Sequence, residues 1–263
     1  MYPVIFEIRG FTLSSYGLMM SVAFIVTGWL LCRELGRRNL DPQWAFEIVW
    51  RAALGGVVGA KIYYAILHQD PWALVSRGGL VWYGGFIGGA SLVLLYALRH
   101  RLPLREVVDS VAVFVPLGYA FGRVGCFLVG DDYGRPTDSW LGIVFPNGSP
   151  PSTVRNLREH FGFSLPPSFS DTTVLAVHPT QLYEIGLSLV VFAILYRLRL
   201  GDRPRGFLLG CCLTLMGIER FIVEFFRVKD DRMFAALTLA QMISVAVCAC
   251  GVGLAIKSRR RGA

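Results

Sequence analysis

The chain has 263 residues, 54% of them hydrophobic and 17% charged, with a mean hydropathy of +0.52 and a formal net charge of +8. That balance excludes an ordinary soluble domain and predicts an all-α polytopic membrane protein. The basic excess calls for no nucleic-acid partner, because it reads as a topology signal distributed between apolar segments.

Residues 2–14, YPVIFEIRGFTLS, alternate loosely and are expected to lie along the membrane surface ahead of the first crossing. Met1 to Gly10 contains Glu7 and Arg9 and no basic leader, so the first apolar run, stopped by RELGRR, is expected to stay as an anchor. Stretches long enough to cross the hydrocarbon core, about 20 residues each, fall at 15–32, 44–67, 78–98, 109–130, 181–198, 206–227 and 235–257. They predict seven transmembrane helices in a single membrane-embedded domain spanning 1–263.

Arg33, Arg37 and Arg38, then Arg99, Arg101 and Arg105, then Arg197, Arg199, Arg203 and Arg205, then Lys257, Arg259, Arg260 and Arg261 fall in alternate short loops and tails. Short cytoplasmic loops are enriched in Lys and Arg, so that side is the cytoplasm. Arg9, Arg77, Arg135, Arg155, Arg158, Arg227, Lys229 and Arg232 are spread over longer segments on the opposite side. The N-terminus is therefore expected outside and the C-terminus inside.

In the first crossing, Tyr16 is either an interface-belt aromatic or a hydroxyl aimed at a lipid headgroup. The second holds Glu47 and Arg51 four residues apart, suited to a same-helix pair, and a small-residue face of Gly55, Gly59, Gly56 and Ala60. Lys61 either snorkels to the interface or contacts a phosphate. The third crossing opens GGLVWYGGFIGG, where Gly84, Gly88 and Gly85, Gly89 invite a neighbouring helix or a ligand to approach beside Tyr83.

The fourth crossing ends in the most unusual stretch of the chain, GYAFGRVGCFLVGDDYGRPT, residues 118–137. Arg123 lies inside a run that is otherwise apolar, and an intramembrane arginine normally faces a polar cavity or a partner. The competing reading is a glycine packing face whose arginine pairs with an acid on a neighbouring helix. A stretch at about 132–179, rich in Pro, Ser and Gly, follows and is read as an extracytoplasmic cap or gate too polar and broken to be a core domain.

HPTQLYE opens the fifth crossing and sets Gln181 and Glu184 on one helical face behind His178. The sixth ends GIERFIVEFFRVKDD, placing Arg220, Glu224 and Arg227 at i, i+4 and i+7. Two guanidiniums flanking one carboxylate form either a structural ion-pair ladder or a grip on an anionic headgroup. The seventh, with Gln241 as its strong polar group, reads as wall. The six cysteines form no CxxC and no zinc-binding spacing with histidine, so no metal or other cofactor is expected, and all but Cys126 read as packing residues. On the predicted topology Arg123, Arg220 and Arg227 converge, and the planar guanidinium fork suits phosphate oxygens. A phospholipid headgroup is the expected ligand.

Over nearly its whole length the chain resembles the prolipoprotein diacylglyceryl transferase family, through SSYGLM, WYGGFIGG, GRVGCFLVGDDYGR, LGIVFP, HPTQLYE and RFIVEFFR. The central stretch is similar to that family's signature, GRxGNFxNxExxG. The resemblance implies a seven-helix bacterial inner-membrane enzyme whose site faces the extracytoplasmic side. Its substrates would be phosphatidylglycerol and the signal-peptide region of a preprolipoprotein. It would move the diacylglyceryl group onto the lipobox cysteine thiol, forming a thioether and releasing glycerol phosphate.

The resemblance also implies functional positions at Tyr16, Arg123, Gly125, Asp131, Gly134, Arg220, Glu224 and Arg227, with Asp109 matching a family aspartate. The chain departs from the usual pattern at Tyr83 for histidine, Cys126 and Val129 for asparagines, Asp131 for glutamate and Lys61 for arginine. Arg123, Arg220, Asp131 and Tyr83 are the catalytic candidates. Arg123, Arg220, Arg227, Glu224, Tyr16, Gly125, Gly134, Cys126, Gln181 and Glu184 are the substrate-binding candidates. A free thiol has a pKa of about 8.5 and a tyrosine about 10, which makes Tyr83 a poor base. Either Asp131 takes the proton, or the arginines favour the thiolate, or the chemistry is altered. The rival readings are a non-catalytic phospholipid-binding or lipid-moving protein, a transferase using another nucleophile, and a small transporter.

Overall fold

The computed structural model describes residues 2–8, 11–74, 81–159, 161–163, 166, 168–227, 232–234 and 237–262. Arg9, Arg77, Lys229, the glycines at 78 and 79, and Ser164, Leu165 and Pro167 of the loop lie outside the described residues, as does the side chain of Arg232.

Strands β1 (Val4–Ile8) and β2 (Phe11–Ser14) form an antiparallel hairpin, with Glu7 opposite Thr12 and Val4 opposite Ser14. The loose alternation of residues 2–14 is thus a β period, favoured by Val, Ile, Phe and Thr. Helices α1 (Ser15–Arg37), α2 (Gln43–His68), a 3-10 turn at Pro71–Leu74, α3 (Trp82–Arg99) and α4 (Leu104–Val129) follow. Next come β3 (Ile143–Val144), the short α5 (Val154–Glu159), β4 (Ala176–Val177), α6 (Thr180–Leu198) and α7 (Phe207–Glu224). A hairpin of β5 (Arg232–Phe234) and β6 (Leu237–Thr238) leads into α8 (Leu239–Gly262).

Among the described residues, α1, α4, α6 and α8 are long and apolar enough to cross a membrane. Helix α7 carries three charged residues, Glu219, Arg220 and Glu224, in its last two turns. Polarity is inverted relative to a soluble protein: Gln181, Glu184 and Ser188 are fully buried while Ile25, Phe46 and Ile66 are more than two-thirds exposed. Large apolar side chains facing outward while polar ones are buried are what a hydrocarbon solvent selects. The protein is an all-α, multi-pass membrane protein.

The chain forms two compact units, residues 24–111 and residues 1–23 with 112–263. In the first, α2 and α3 meet backbone to backbone: a β-carbon on Gly88 would sit 2.8 Å from the Gly59 Cα. The glycine faces predicted for these two helices face each other, so what approaches the third crossing is the second.

In the second unit, α6, α7 and α8 pack in sequence order. The loop between α4 and α6 has a core of its own. Tyr133, Phe145, Leu157 and Val177 are buried together, with Phe127, Ile143, Phe161, Phe163 and Leu175 packed around them. Paired strands β3 and β4 support that core, and the Tyr133 hydroxyl donates to the carbonyls of Pro150 and Pro151, each at 3.0 Å. Burial pushes the Tyr133 hydroxyl up to about 12, so it remains a donor. The sequence does not reveal this cluster, because its apolar residues are scattered singly between turn residues and only tertiary pairing gathers them.

Candidate functional site

Three chain segments build the site, and backbone hydrogen bonds lace them together. Helix α4 ends as Gly130 turns left-handed at φ 77°, with the Gly130 and Asp131 amides both donating to the Cys126 carbonyl. Asp132 is also left-handed, at φ 60°, a conformation uncommon outside glycine but tolerated by Asp. The chain then runs between the approach to α6 and the exit from α7. Gly134 N–H donates to the His178 carbonyl at 2.8 Å, His178 N–H to Arg135 at 2.9 Å, and Arg135 N–H to Phe226 at 2.9 Å. Gly134 lies so close to the Phe226 carbonyl that a β-carbon there would collide with it.

The start of α6 fixes the two aspartates by their backbone. Thr180 Oγ1 donates to the Asp132 carbonyl at 2.8 Å, and Gln181 Nε2 to the Asp131 carbonyl at 2.5 Å. Both side chains are fully buried. The polar opening of HPTQLYE is therefore structural cement for the turn that ends α4.

The charged groups meet above this frame. Arg123 Nη1 donates to Asp132 Oδ2 at 2.6 Å, and Arg227 Nη2 donates to Asp132 Oδ1 at 2.6 Å. Arg227 Nη1 also donates to Oδ2 at 3.4 Å, so Arg227 spans both carboxylate oxygens and shares Oδ2 with Arg123. Behind them, Glu184 lies 2.9 Å from Arg123 Nε and 3.9 Å from Arg227 Nη1, and accepts the Tyr119 hydroxyl at 2.9 Å. Tyr119 also accepts from Arg123 Nε at 3.0 Å.

Helix α7 ends at Glu224, so Arg227 lies beyond the helix and is turned toward Asp132, with its N–H on the Glu224 carbonyl at 3.2 Å. Glu224 pairs with Arg220 at 2.5 Å and lies 3.8 Å from Arg227, while Thr238 Oγ1 donates to it at 3.1 Å. Arg123 and Arg220 are therefore joined through Arg227 and its three carboxylate neighbours, Asp132, Glu184 and Glu224.

Asp131 points elsewhere. Its carboxylate hydrogen-bonds the Cys126 thiol, and among the described residues its buried Oδ1 has no hydrogen-bond partner. Burial raises its pKa, helped by the Asp132 charge and opposed by Cys126 and Arg123. Burial pushes Asp132 the same way, but Arg227 and Arg123 outweigh it and hold that carboxyl far below the usual range. Two adjacent carboxylates are thereby driven apart, one toward holding a proton and the other toward permanent charge. Cys126 Sγ also lies 3.8 Å from Arg123 Nη1. Tyr16 stands within electrostatic range of Cys126, Arg123 and both aspartates, and a β-carbon on Gly125 would come within 3.0 Å of its ring.

Of the candidates predicted from sequence, Arg123, Arg220, Arg227, Glu224 and Glu184 share one ion-pair network. Gln181, Gly125, Gly134, Cys126, Asp131 and Tyr16 line or brace it. Tyr83, in the first turn of α3, is 55% exposed and belongs to the compact unit of residues 24–111. Sequence reasoning missed three members. Tyr119 is signalled by its place four residues before Arg123, on the same helical face. Asp132 was visible as one of two adjacent acids, with nothing local to say which faces the arginines. Thr238 gave no signal. Among the described residues, no group of three His, Cys, Asp or Glu side chains is placed to hold a metal ion.

Chemically, the arrangement offers paired guanidinium forks converging on two oxygens, which is how a phosphate is gripped. Beside them sits a carboxylate poised to accept a proton.

The family model described as prolipoprotein diacylglyceryl transferase matches residues 3–257. A phosphatidylglycerol–prolipoprotein diacylglyceryl transferase of Chromohalobacter salexigens is 32% identical over 272 residues, covering 98% of this chain and 93% of the relative. Proteins of the same name from Xanthomonas oryzae and Stenotrophomonas maltophilia are 32% and 31% identical, again across 98% of this chain and 91% and 92% of theirs.

Proposed function

The chain belongs to the prolipoprotein diacylglyceryl transferase family, and we propose that it moves the diacylglyceryl group of phosphatidylglycerol onto the lipobox cysteine of a preprolipoprotein. The observation that carries this reading is the pair of arginines, Arg123 and Arg227, converging on the two oxygens of a shared anion. A phosphodiester presents two non-bridging oxygens in the same way.

In the reaction the substrate thiolate attacks the glycerol carbon that bears the phosphate. A sulfur–carbon bond forms, the carbon–oxygen bond breaks, and the electron pair leaves on glycerol phosphate. Phosphate charge grows from that of a diester toward that of a monoester, so Arg123, Arg227 and Arg220 stabilise the transition state more than the bound lipid. Glu184 and Glu224 keep those guanidiniums oriented.

The thiol proton goes to Asp131, whose burial raises its pKa and so makes it a better proton acceptor than an ordinary carboxylate. The family's usual histidine is replaced by Tyr83, which is a poor base, and this supports the assignment. Tyr16 and Cys126 line the path of the thiol. The protein sits in the bacterial inner membrane as one embedded domain of seven crossings, with its N-terminus outside, its C-terminus in the cytoplasm and its site on the extracytoplasmic side. Residues 132–179 cap it there. The alternating arginine-rich loops support that orientation.

The test is expression in cells depleted of their own transferase, with a reporter lipoprotein followed by mass spectrometry. The reporter gains diacylglycerol with the wild type and gains none with Arg123→Ala or Asp131→Ala. Unmodified reporter with a folded wild-type protein refutes the proposal.

A further inference from the structure

Three guanidiniums in the network, Arg123, Arg220 and Arg227, face three carboxylates, Asp132, Glu184 and Glu224. The cluster therefore carries no surplus positive charge with which to attract a phosphodiester. A phosphate that enters must take a partner's place, since a further negative charge among paired ions is repelled.

The three carboxylates are not equally replaceable. The Glu184 and Glu224 side chains are 1% and 3% exposed, and they are tied to Tyr119 and Thr238 as well as to arginine. Withdrawing either would leave a buried charge unpaired. The Asp132 side chain is 38% exposed, and among the described residues its side-chain hydrogen bonds go to the two arginines alone. Its two oxygens stand where two phosphate oxygens would stand.

We propose that Asp132 is a resident anion in the phosphate seat, holding Arg123 and Arg227 ready in the empty site and swinging aside when the lipid phosphate arrives. This rests on the reading of phosphatidylglycerol as substrate. Because Thr180 and Gln181 pin the backbone of residues 131 and 132, the movement is a side-chain rotation and not a loop opening. The position is one that the family signature GRxGNFxNxExxG leaves unspecified. Asp132 is thus a positioning residue that also sets the affinity for lipid.

The test is a steady-state comparison of wild type and Asp132→Asn with phosphatidylglycerol in mixed micelles, with both proteins checked for folding by thermal melt. Removing the resident charge should lower KM for the lipid about tenfold and raise kcat/KM with it, a change equal to one displaced charge-assisted hydrogen bond. A KM that is unchanged or higher in the variant overturns the proposal, because it shows that the Asp132 carboxylate does not compete with the lipid phosphate. If the variant does not fold, a structure of wild type with bound phosphatidylglycerol decides. The Asp132 carboxylate must have left at least one guanidinium, and a carboxylate still on both refutes its displacement. A wild type that neither binds the lipid nor modifies a reporter brings down the functional reading itself. An active wild type with a higher KM in the variant brings down only this inference.

Discussion

Gly134 lies against the carbonyl of Phe226 with no room for a β-carbon, and the same glycine donates its N–H to His178. One residue thus holds the exit of α7 against the approach to α6, with Arg227 the next residue on the α7 side. Gly134→Ala should force these strands apart, lowering stability by about 1–3 kcal/mol and cutting diacylglyceryl transfer below a tenth of wild type. Thermal melts in detergent and a reporter assay measure both, and a variant with normal activity would show that the spacing of these segments is unimportant.

Glu184 is buried and faces Arg123, Arg227 and the Tyr119 hydroxyl. Glu184→Ala leaves guanidiniums without their fixed counter-charge and should cost about 3–5 kcal/mol. Tyr119→Phe removes a hydroxyl that donates to Glu184 and accepts from Arg123 but leaves every ion pair in place, and should cost about 1.5–3 kcal/mol. The ranking is read from chemical denaturation of the two variants, and equal losses would contradict it.

Asp131 and Asp132 should respond to pH in opposite directions. Asp131 has a raised folded pKa, so the folded state holds its proton more readily. Its penalty is absent below the unfolded value of about 3.9 and complete above the folded value. Asp131→Asn should therefore melt higher than wild type at neutral pH, converge with it in acid, and lose transferase activity. Asp132, held low by two arginines, stabilises the fold above about pH 3.9, and that contribution fades as acid protonates it. Melting curves across pH for wild type and both Asn variants test the two signs.

The seam between α2 and α3 separates two neighbouring glycines. A β-carbon on Gly59 would meet the Gly88 Cα at 2.9 Å, whereas one on Gly56 has its nearest neighbour at 3.9 Å. Gly59→Ala should destabilise the protein by about 2 kcal/mol or more, and Gly56→Ala should stay within about 0.5 kcal/mol of wild type. Comparable melting temperatures for the two would argue against this packing.

Much of this arrangement is legible in the sequence, and the illegible parts share a cause. The α2–α3 seam can be read because close helix contact demands small residues at a fixed spacing of four, and nothing else in a membrane span selects them so regularly. Arg123, Arg220 and Glu224 can be read because charge inside an apolar run needs a reason.

Asp131 and Asp132 cannot be told apart by the same logic. Which one reaches the arginines depends on left-handed turns at Gly130 and Asp132 and on hydrogen bonds from Thr180 and Gln181, nearly fifty residues away. The loop core fails for the same reason, since Tyr133, Phe145, Leu157 and Val177 have no common period. The bend of Arg227 out of the α7 face is also tertiary, for the helix stops at Glu224 and the predicted i, i+4, i+7 ladder does not extend to it.

Tyr133 stands between Asp132 and Gly134 in the chain, with its ring in the loop core and its hydroxyl on Pro150 and Pro151. The turn that presents Asp132 is thus bolted from behind to the core of the loop. A molecule that wedged those aromatic rings apart would disarm the enzyme from the rear, leaving the greasy substrate no chance to outcompete it.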